Sequence, residues 1–580
     1  MTRGNRLQRL APGIGALLLF GVLTALMLEL RPAYLGRRLP SDLGDPVLNL
    51  YFLEWGEKEI TQGLDGFWDA NFFFPATGVM TFADHMLGPA GVAVLFRQVW
   101  DNGVAAYDFL FCASFVLCAA TVAWVLRQAG ASRPAAVIAG LMFAFSPYRF
   151  DQRAHLPMLL AQWIPLVLSH WNRLLSAPSW RPAIAFCGFY VLHVTGGTYL
   201  SHLMHLALAI VLVVHWRDWR ALVSPRSLAV LIPVALVGGA VTLAIFQPYV
   251  EVHRQLGLER SPDGIRFYGA TLGSWLSVER GNYVLGWLQR LGGPENNLFA
   301  GFVTTGFAAA GALAMLRARA ARRGPELARG EPGPDRERLL WDRALIAIGV
   351  FFFLLSFSWF YLPLSQVVPG LSGMRVPTRG YPFVSLALVA LAAKGVDRLL
   401  DRAPRRFTRG LWGTAIGVVL LFELRSDMPW RRWPLPDTEL GIYHEIARRG
   451  DVRAVLHLPI PNDPWDARYM YFSTLHWKPI ANGYSGYAPA AYVELRRRLR
   501  ERPLDEGTID YLIDLGVTHV ATHPPPLQPN KLVQRAGVEW KLLWIWERHF
   551  ASERARRLKL VASVGDDRLY QLLPPPGASS

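Results

Sequence analysis

The sequence predicts an α-helical polytopic membrane protein with about eleven transmembrane helices and a C-terminal α/β domain outside the cytoplasm. Three observations predict it. The apolar residues cluster into bilayer-length stretches, arginines recur in alternate loops, and the pattern changes near residue 426.

Of 580 residues, 52% are hydrophobic and only 18% charged, too apolar for a string of soluble domains. Spans are expected at residues 13–30, 105–126, 134–145, 157–174, 182–194, 203–214, 228–246, 299–316, 344–357, 383–393 and 410–424. Crossing about 30 Å of hydrocarbon takes roughly 20 apolar residues. The N-terminus has the basic flank of a signal peptide (Arg3, Arg6, Arg9) but no small-x-small cleavage site, which suits a retained anchor.

The net charge of +16 comes from arginines in short runs between apolar segments. It forms no continuous basic stripe with aromatic platforms, so nucleic acid is not an expected partner. With the N-terminus cytoplasmic, alternate loops carry the arginines: Arg127 and Arg133, then Arg173 and Arg181, then Arg217, Arg220 and Arg226. Arg317, Arg319, Arg322 and Arg323 follow, and Arg402, Arg405, Arg406 and Arg409 close the series. The stretch 322–338 is expected to be a solvated cytoplasmic loop. Residues 31–102, 247–297 and everything after 425 then lie outside, in what is expected to be a bacterial inner membrane. The three cysteines, Cys112, Cys118 and Cys187, all sit in apolar segments and read as small hydrophobes.

Two domains follow: a membrane module over 1–425, with its first outer loop at 31–102, and an outer α/β domain over 426–580. In the loop, residues 46–60 have apolar residues at helical spacing, as in a helix lying on the membrane surface, and 86–100 forms a second such stretch. In the tail, 454–458 and 517–522 read as strands, 509–515 as a helix, and 558–573 as a hairpin around Gly565-Asp566-Asp567.

Five outer clusters could carry chemistry. Ser41-Asp42-Leu43-Gly44-Asp45-Pro46 places two carboxylates just outside the first span; Asp45 can take a proton from an acceptor hydroxyl, or serve as cap for the helix beginning at Pro46. Asp84 and His85 can ligate a divalent metal or hold a phosphate-bearing donor, while a capping role for Asp84 stands beside that reading. Arg149, Arg153 and His155 suit a phosphate, since guanidinium forks bind phosphate oxygens in pairs, or else anchor the helix ends. Arg375 and Arg379 repeat that arrangement. Asn482-Gly483-Tyr484-Ser485-Gly486-Tyr487 can form either a sugar-stacking surface or ordinary turns. No phosphate loop, Cys-x-x-Cys, His-Glu-x-x-His or nucleophile elbow is present.

Gly44-Asp45-Pro46, Trp55, residues 72–75, Pro147-Tyr148-Arg149, His155, Arg375-Val376-Pro377 and Asn482-Gly483-Tyr484-Ser485-Gly486 resemble a group of bacterial membrane proteins of the GT-C glycosyltransferase superfamily. The resemblance implies transfer of a sugar from a polyprenyl-phosphate or polyprenyl-diphosphate carrier to a glycan, lipid or protein acceptor on the outer side, in cell-envelope synthesis. It makes Asp45 the general base, with Asp42 as fallback; Arg149, Arg153, His155, Arg375 and Arg379 would hold the donor phosphate. Trp55, His85 and Tyr484 would line the sugar or acceptor site. Some relatives use a divalent metal, Mg or Mn, which would map onto Asp84. Two other classes stay open: a transporter or flippase for lipid-linked saccharides, for which inverted repeats and mid-membrane charges are expected but not visible, and a non-catalytic envelope-assembly protein.

Overall fold

The computed structural model describes residues 3–321, 334–403, 405–434, 440–460, 463–501, 504–523 and 557–575. Most of the expected cytoplasmic loop 322–338 lies outside these. The chain divides into two compact units. A helical unit comprises Met1–Leu35 and Asp108–Pro429; a mixed unit comprises Gly36–Tyr107 and Trp430–Ser580. The first outer loop therefore groups with the C-terminal segment.

Every expected span overlaps a helix, though 157–174 is broken into Leu156–Leu159 and Ile164–Ser176. Among the described residues, three helices are long and apolar enough to cross a membrane: Gly103–Gln128, Pro225–Leu256 and Phe407–Leu424. Two bent pairs raise the number to five, Thr198–Val214 with Trp216–Leu222 at 58° and Asp335–Leu355 with Ser358–Val367 at 100°. The expectation of about eleven is not met by length and composition, and the reason is physical. Arg133–Ala144, Ile164–Ser176 and Trp180–Val194 have 12, 13 and 15 residues, which at 1.5 Å per residue reach only about 18–23 Å. Tyr381–Leu400 has the length but carries Lys394, Asp397 and Arg398 near its end.

Helix Tyr381–Leu400 lies at the centre of the helical unit, buried along most of its length. Phe302–Ala321 packs against it through a reciprocal pair of glycines. A Cβ on Gly311 would lie 2.0 Å from the Leu391 carbonyl oxygen, and one on Gly395 2.1 Å from that of Phe307. Backbone meets backbone, as small residues allow where helices associate within a bilayer.

In the mixed unit, β1 (Arg38–Pro40) pairs antiparallel with β2 (Trp430–Arg432). A four-stranded sheet holds β3 (Val455–Leu458), β4 (His519–Thr522), β5 (Leu558–Val564) and β6 (Asp567–Leu572) in the order β3-β4-β6-β5. β3 and β4 run parallel, and the other pairs are antiparallel. Beyond β3 the ladder continues through backbone bonds from Ala481 N–H to Val455 at 2.9 Å, from Ile480 N–H to Asn71 at 2.7 Å and from Phe74 N–H to Ile480 at 3.0 Å. The first loop is thereby stitched to the tail.

Helix Asp45–Gln62 forms where the surface helix is expected, but its first turns are buried on all sides, from Pro46 to Leu53. Helices Leu87–Arg97 and Asp463–Ser473 cover it, so protein rather than lipid takes up its apolar face.

Candidate functional site

In the mixed unit, two of the motifs meet. Gly44 occupies the cap position and Asp45 is the first residue of its helix, a place where the helix dipole favours a carboxylate. Asp45 is half-buried, and its Oδ1 accepts a hydrogen bond of 2.7 Å from the Tyr484 hydroxyl. Asp42 is exposed and closes the preceding turn, accepting from the Gly44 N–H at 2.9 Å.

Tyr484 is aimed by the residues around it. The Asn482 amide donates to the His457 carbonyl and to Asp466 Oδ1, both at 2.9 Å, and accepts from the His457 N–H at 2.7 Å. Asp466, wholly buried, also accepts from the Tyr492 hydroxyl. Gly483 faces the Phe73 ring so closely that a Cβ would lie 2.3 Å from it. With Asn482 and Gly483 held in this way, the phenol has little freedom to leave the carboxylate.

Two other residues assigned to this region, Trp55 and His85, are engaged within the fold. Trp55 is 5% exposed, donates from its indole to the Phe67 carbonyl at 2.9 Å and carries the Lys58 ammonium 4.5 Å from its ring centre. That leaves it no open face for a sugar. His85 is fully buried, and its Nδ1 accepts from the Leu87 N–H at 3.1 Å, tying down the start of the next helix. Asp84 is half-buried beside it. Among the described residues no group of three or more His, Cys, Asp or Glu side chains is placed to hold a metal. Asp84, expected to bind a divalent ion, belongs to no such group among the described residues.

In the helical unit, four of the five donor-phosphate residues lie in a network with acids. Arg379 donates from Nε to Glu295 Oε2 at 2.9 Å, its Nη2 lies equally close, and its guanidinium stacks 5.0 Å from the centre of Tyr199. Thr378 holds the Glu295 carbonyl at 2.9 Å, fixing Glu295 at φ +53°. Burial raises the Glu295 carboxyl, but Arg379, His155 and Arg375 outweigh it and leave the group below its ordinary value. Arg375 stacks over Tyr268 at 4.8 Å. Arg153 lies 3.7 Å from Glu279 and donates to the Phe150 carbonyl at 2.8 Å.

Arg149 departs from the expectation. It is 4% exposed, and its guanidinium donates to the carbonyls of Ala144 and Leu159 at 2.9 Å each and to Ser114 at 3.2 Å. Three of its five N–H groups are committed to Ala144, Leu159 and Ser114, and the guanidinium is buried among these partners.

Asp151, Glu279 and Glu295 are acids that the motif reading did not assign. Asp151 accepts from the Asn297 amide at 2.9 Å, and burial, with Glu279 and Glu295 adding to it, pushes its carboxyl up to about 7. Around it, Asp151 Oδ2, both ends of Gln152, Arg153 Nε, Glu279 Oε1 and the Tyr148 and Tyr381 hydroxyls are buried without a hydrogen-bond partner among the described residues. Buried polar atoms are nearly always satisfied. So many unsatisfied together mark a place that water or a polar ligand fills.

No family model matches the sequence, and comparison with curated proteins finds no match. Among solved structures, the chain is similar to the arabinofuranosyltransferase AftD from mycobacteria, at 16% identity and a TM-score of 0.54, over 97% of this chain and 40% of that one. The likeness is one of fold, shared with that AftD structure. The chain spans less than half the length of the AftD structure. ArnT from Cupriavidus metallidurans aligns at 11% identity and a TM-score of 0.44, over 98% of each chain. The oligosaccharyltransferase from Archaeoglobus fulgidus aligns at 14% and 0.43, over 87% of this chain and 67% of that one.

Proposed function

We propose that this chain transfers a sugar from a polyprenyl-phosphate or polyprenyl-diphosphate carrier to an acceptor on the outer side of a bacterial inner membrane, with Asp45 as general base. The proposal includes a cytoplasmic N-terminus, about eleven membrane passages and an extracytoplasmic mixed unit.

The observation that carries it is the Asp45–Tyr484 pair, a carboxylate at a helix start held by a phenol from a rigid turn. In the reaction, the acceptor oxygen attacks the anomeric carbon as its proton passes to the Asp45 carboxylate. The bond from that carbon to the carrier phosphate breaks, and the phosphate leaves with the electron pair. Positioned proton transfer of this kind contributes about 10²–10⁴-fold. Arg153, His155, Arg375 and Arg379 are assigned to the departing phosphate, where fixed cations offset developing charge. No step is routed through a metal.

The test uses Asp45→Asn, Asp42→Asn and Tyr484→Phe variants of the full chain in membranes, with a panel of labelled polyprenyl-phosphate sugars as donors. Asp45→Asn is expected to lower transfer by about 10²-fold or more, and Tyr484→Phe by about tenfold, with unchanged membrane insertion. Transfer equal to wild type in both aspartate variants would remove the base assignment. A wild-type chain that moves intact lipid-linked saccharide across vesicles without transferring sugar would favour the transporter.

A further inference from the structure

At the other end of the helical unit is a cavity of about 240 Å³ that the proposed transfer does not use. It opens among the end of Gly103–Gln128, the helix Ile164–Ser176 and the start of Pro334–Leu355, and is lined by Gln128, Ser169, Asn172, Arg173, Arg338 and Trp341. Helix Pro334–Leu355 starts here. After 22 residues, or about 33 Å, it ends beside Ser356, whose carbonyl accepts from Ala270 at 2.8 Å near the aromatic cluster of Tyr148 and Tyr381. The cavity and the acid–arginine network therefore lie about one hydrocarbon thickness apart.

The lining is polar and basic. Arg173 faces Glu337 at 3.3 Å. Among the described residues Arg338, with 53% of its side chain exposed, has an ion pair only with Asp335, at 3.7 Å and itself 90% exposed. Such a pair is worth little. Another nearby acid, Asp218, is engaged by Arg336 and lies 3.3 Å from His215. His215 in turn meets the Asn172 amide oxygen at 3.1 Å, fixing the cavity wall. Two guanidiniums thus face one carboxylate across a polar hollow. Its volume falls below the 300–1,000 Å³ of pockets for drug-sized ligands and suits a single phosphate with a few attached atoms.

We propose that this cavity binds the phosphate of an anionic group at the inner membrane surface, the headgroup of an anionic phospholipid or a free phosphate with the same chemistry. Basic pockets between transmembrane helices on the cytoplasmic side hold such headgroups, and paired guanidiniums recognise the phosphate oxygens. The proposal rests on the membrane-spanning reading of these helices and is independent of the sugar-transfer reading.

The test measures lipid retention by the full-length chain with native mass spectrometry, offering phosphatidylglycerol against phosphatidylcholine, with sodium phosphate as competitor. Wild type is expected to retain phosphatidylglycerol about tenfold over phosphatidylcholine, and Arg173→Gln/Arg338→Gln to lose that preference. Arg338→Gln alone, at an exposed position that does not bear on folding, is expected to lose about threefold. Displacement by sodium phosphate identifies a free-phosphate site; retention against it identifies the lipid headgroup. Equal retention of the two lipids by wild type, or an undiminished preference in Arg338→Gln and in the double variant where it folds, would overturn the proposal.

Discussion

The Asp151 carboxyl ionises near pH 4 in water and is held up to about 7 in the folded chain, first by burial and then by Glu279 and Glu295. The folded state therefore binds this proton more tightly than the unfolded chain does. Its effect on stability is nil below the unfolded value, grows as pH rises from about 4 to 7, and above 7 is a full penalty on the order of a few kcal/mol. Asp151→Asn should flatten that slope. In detergent, the variant's midpoint of thermal unfolding is expected to gain on wild type at pH 8 and to gain much less at pH 4.5. An identical pH profile would mean that Asp151 is not the titrating group. Glu57, also raised to about 7 by burial and Glu54, adds a slope common to both proteins. How much of the site was legible differs residue by residue. Asp45 and Tyr484 stood out because Gly-Asp-Pro and Asn-Gly-Tyr-Ser-Gly are turn chemistry. Glu295 lies 84 residues from its partner Arg379 in a Gly-Pro-Glu-Asn-Asn loop with no periodicity. Arg149 and Arg153 look equivalent as letters, yet one turns inward to carbonyls and the other toward Glu279.

Helix pairing offers a sharper test than helix existence. Gly395 and Gly311 let two helices touch, and a methyl at Gly395 would meet the Phe307 carbonyl at 2.1 Å, a rigid backbone atom that cannot swing aside. Gly395→Ala is expected to cost about 1–3 kcal/mol. Gly306, on the same helix as Gly311, has nothing within 4 Å of its added Cβ; Gly306→Ala should be neutral or stabilising by up to about 1 kcal/mol. Thermal unfolding of both variants checks the contrast, and equal shifts would mean that helices Phe302–Ala321 and Tyr381–Leu400 do not approach so closely. The helices themselves were readable because apolar stretches of this kind have few alternatives. What covers each one was not readable. Periodicity marks the apolar face of Asp45–Gln62 but cannot say whether lipid or the helices Leu87–Arg97 and Asp463–Ser473 will meet it. Hydropathy likewise does not say whether a 12-residue helix such as Arg133–Ala144 is a crossing.

For the whole molecule, the order of elements along the chain was legible, but their grouping was not: the sequence marks a boundary near 425, while contacts tie Gly36–Tyr107 to Trp430–Ser580. No local signal announces that Phe73 and Phe74 will bond to Asn482 and Ile480, because such pairing is set by distant partners. This discontinuity has a consequence for biogenesis. A ribosome adding roughly 5–20 residues per second must complete Asp108–Pro429 before the second half emerges, leaving the early half alone for on the order of tens of seconds. During that wait Phe73 and Phe82, both buried at completion, lack their late partners Tyr492 and Tyr487. Chains halted just before Trp430 should show rapid protease cleavage within 36–107, and full-length chains should resist it. Equal resistance would mean that the early half folds unaided. The newborn chain thus has a built-in window in which a chaperone could shelter it.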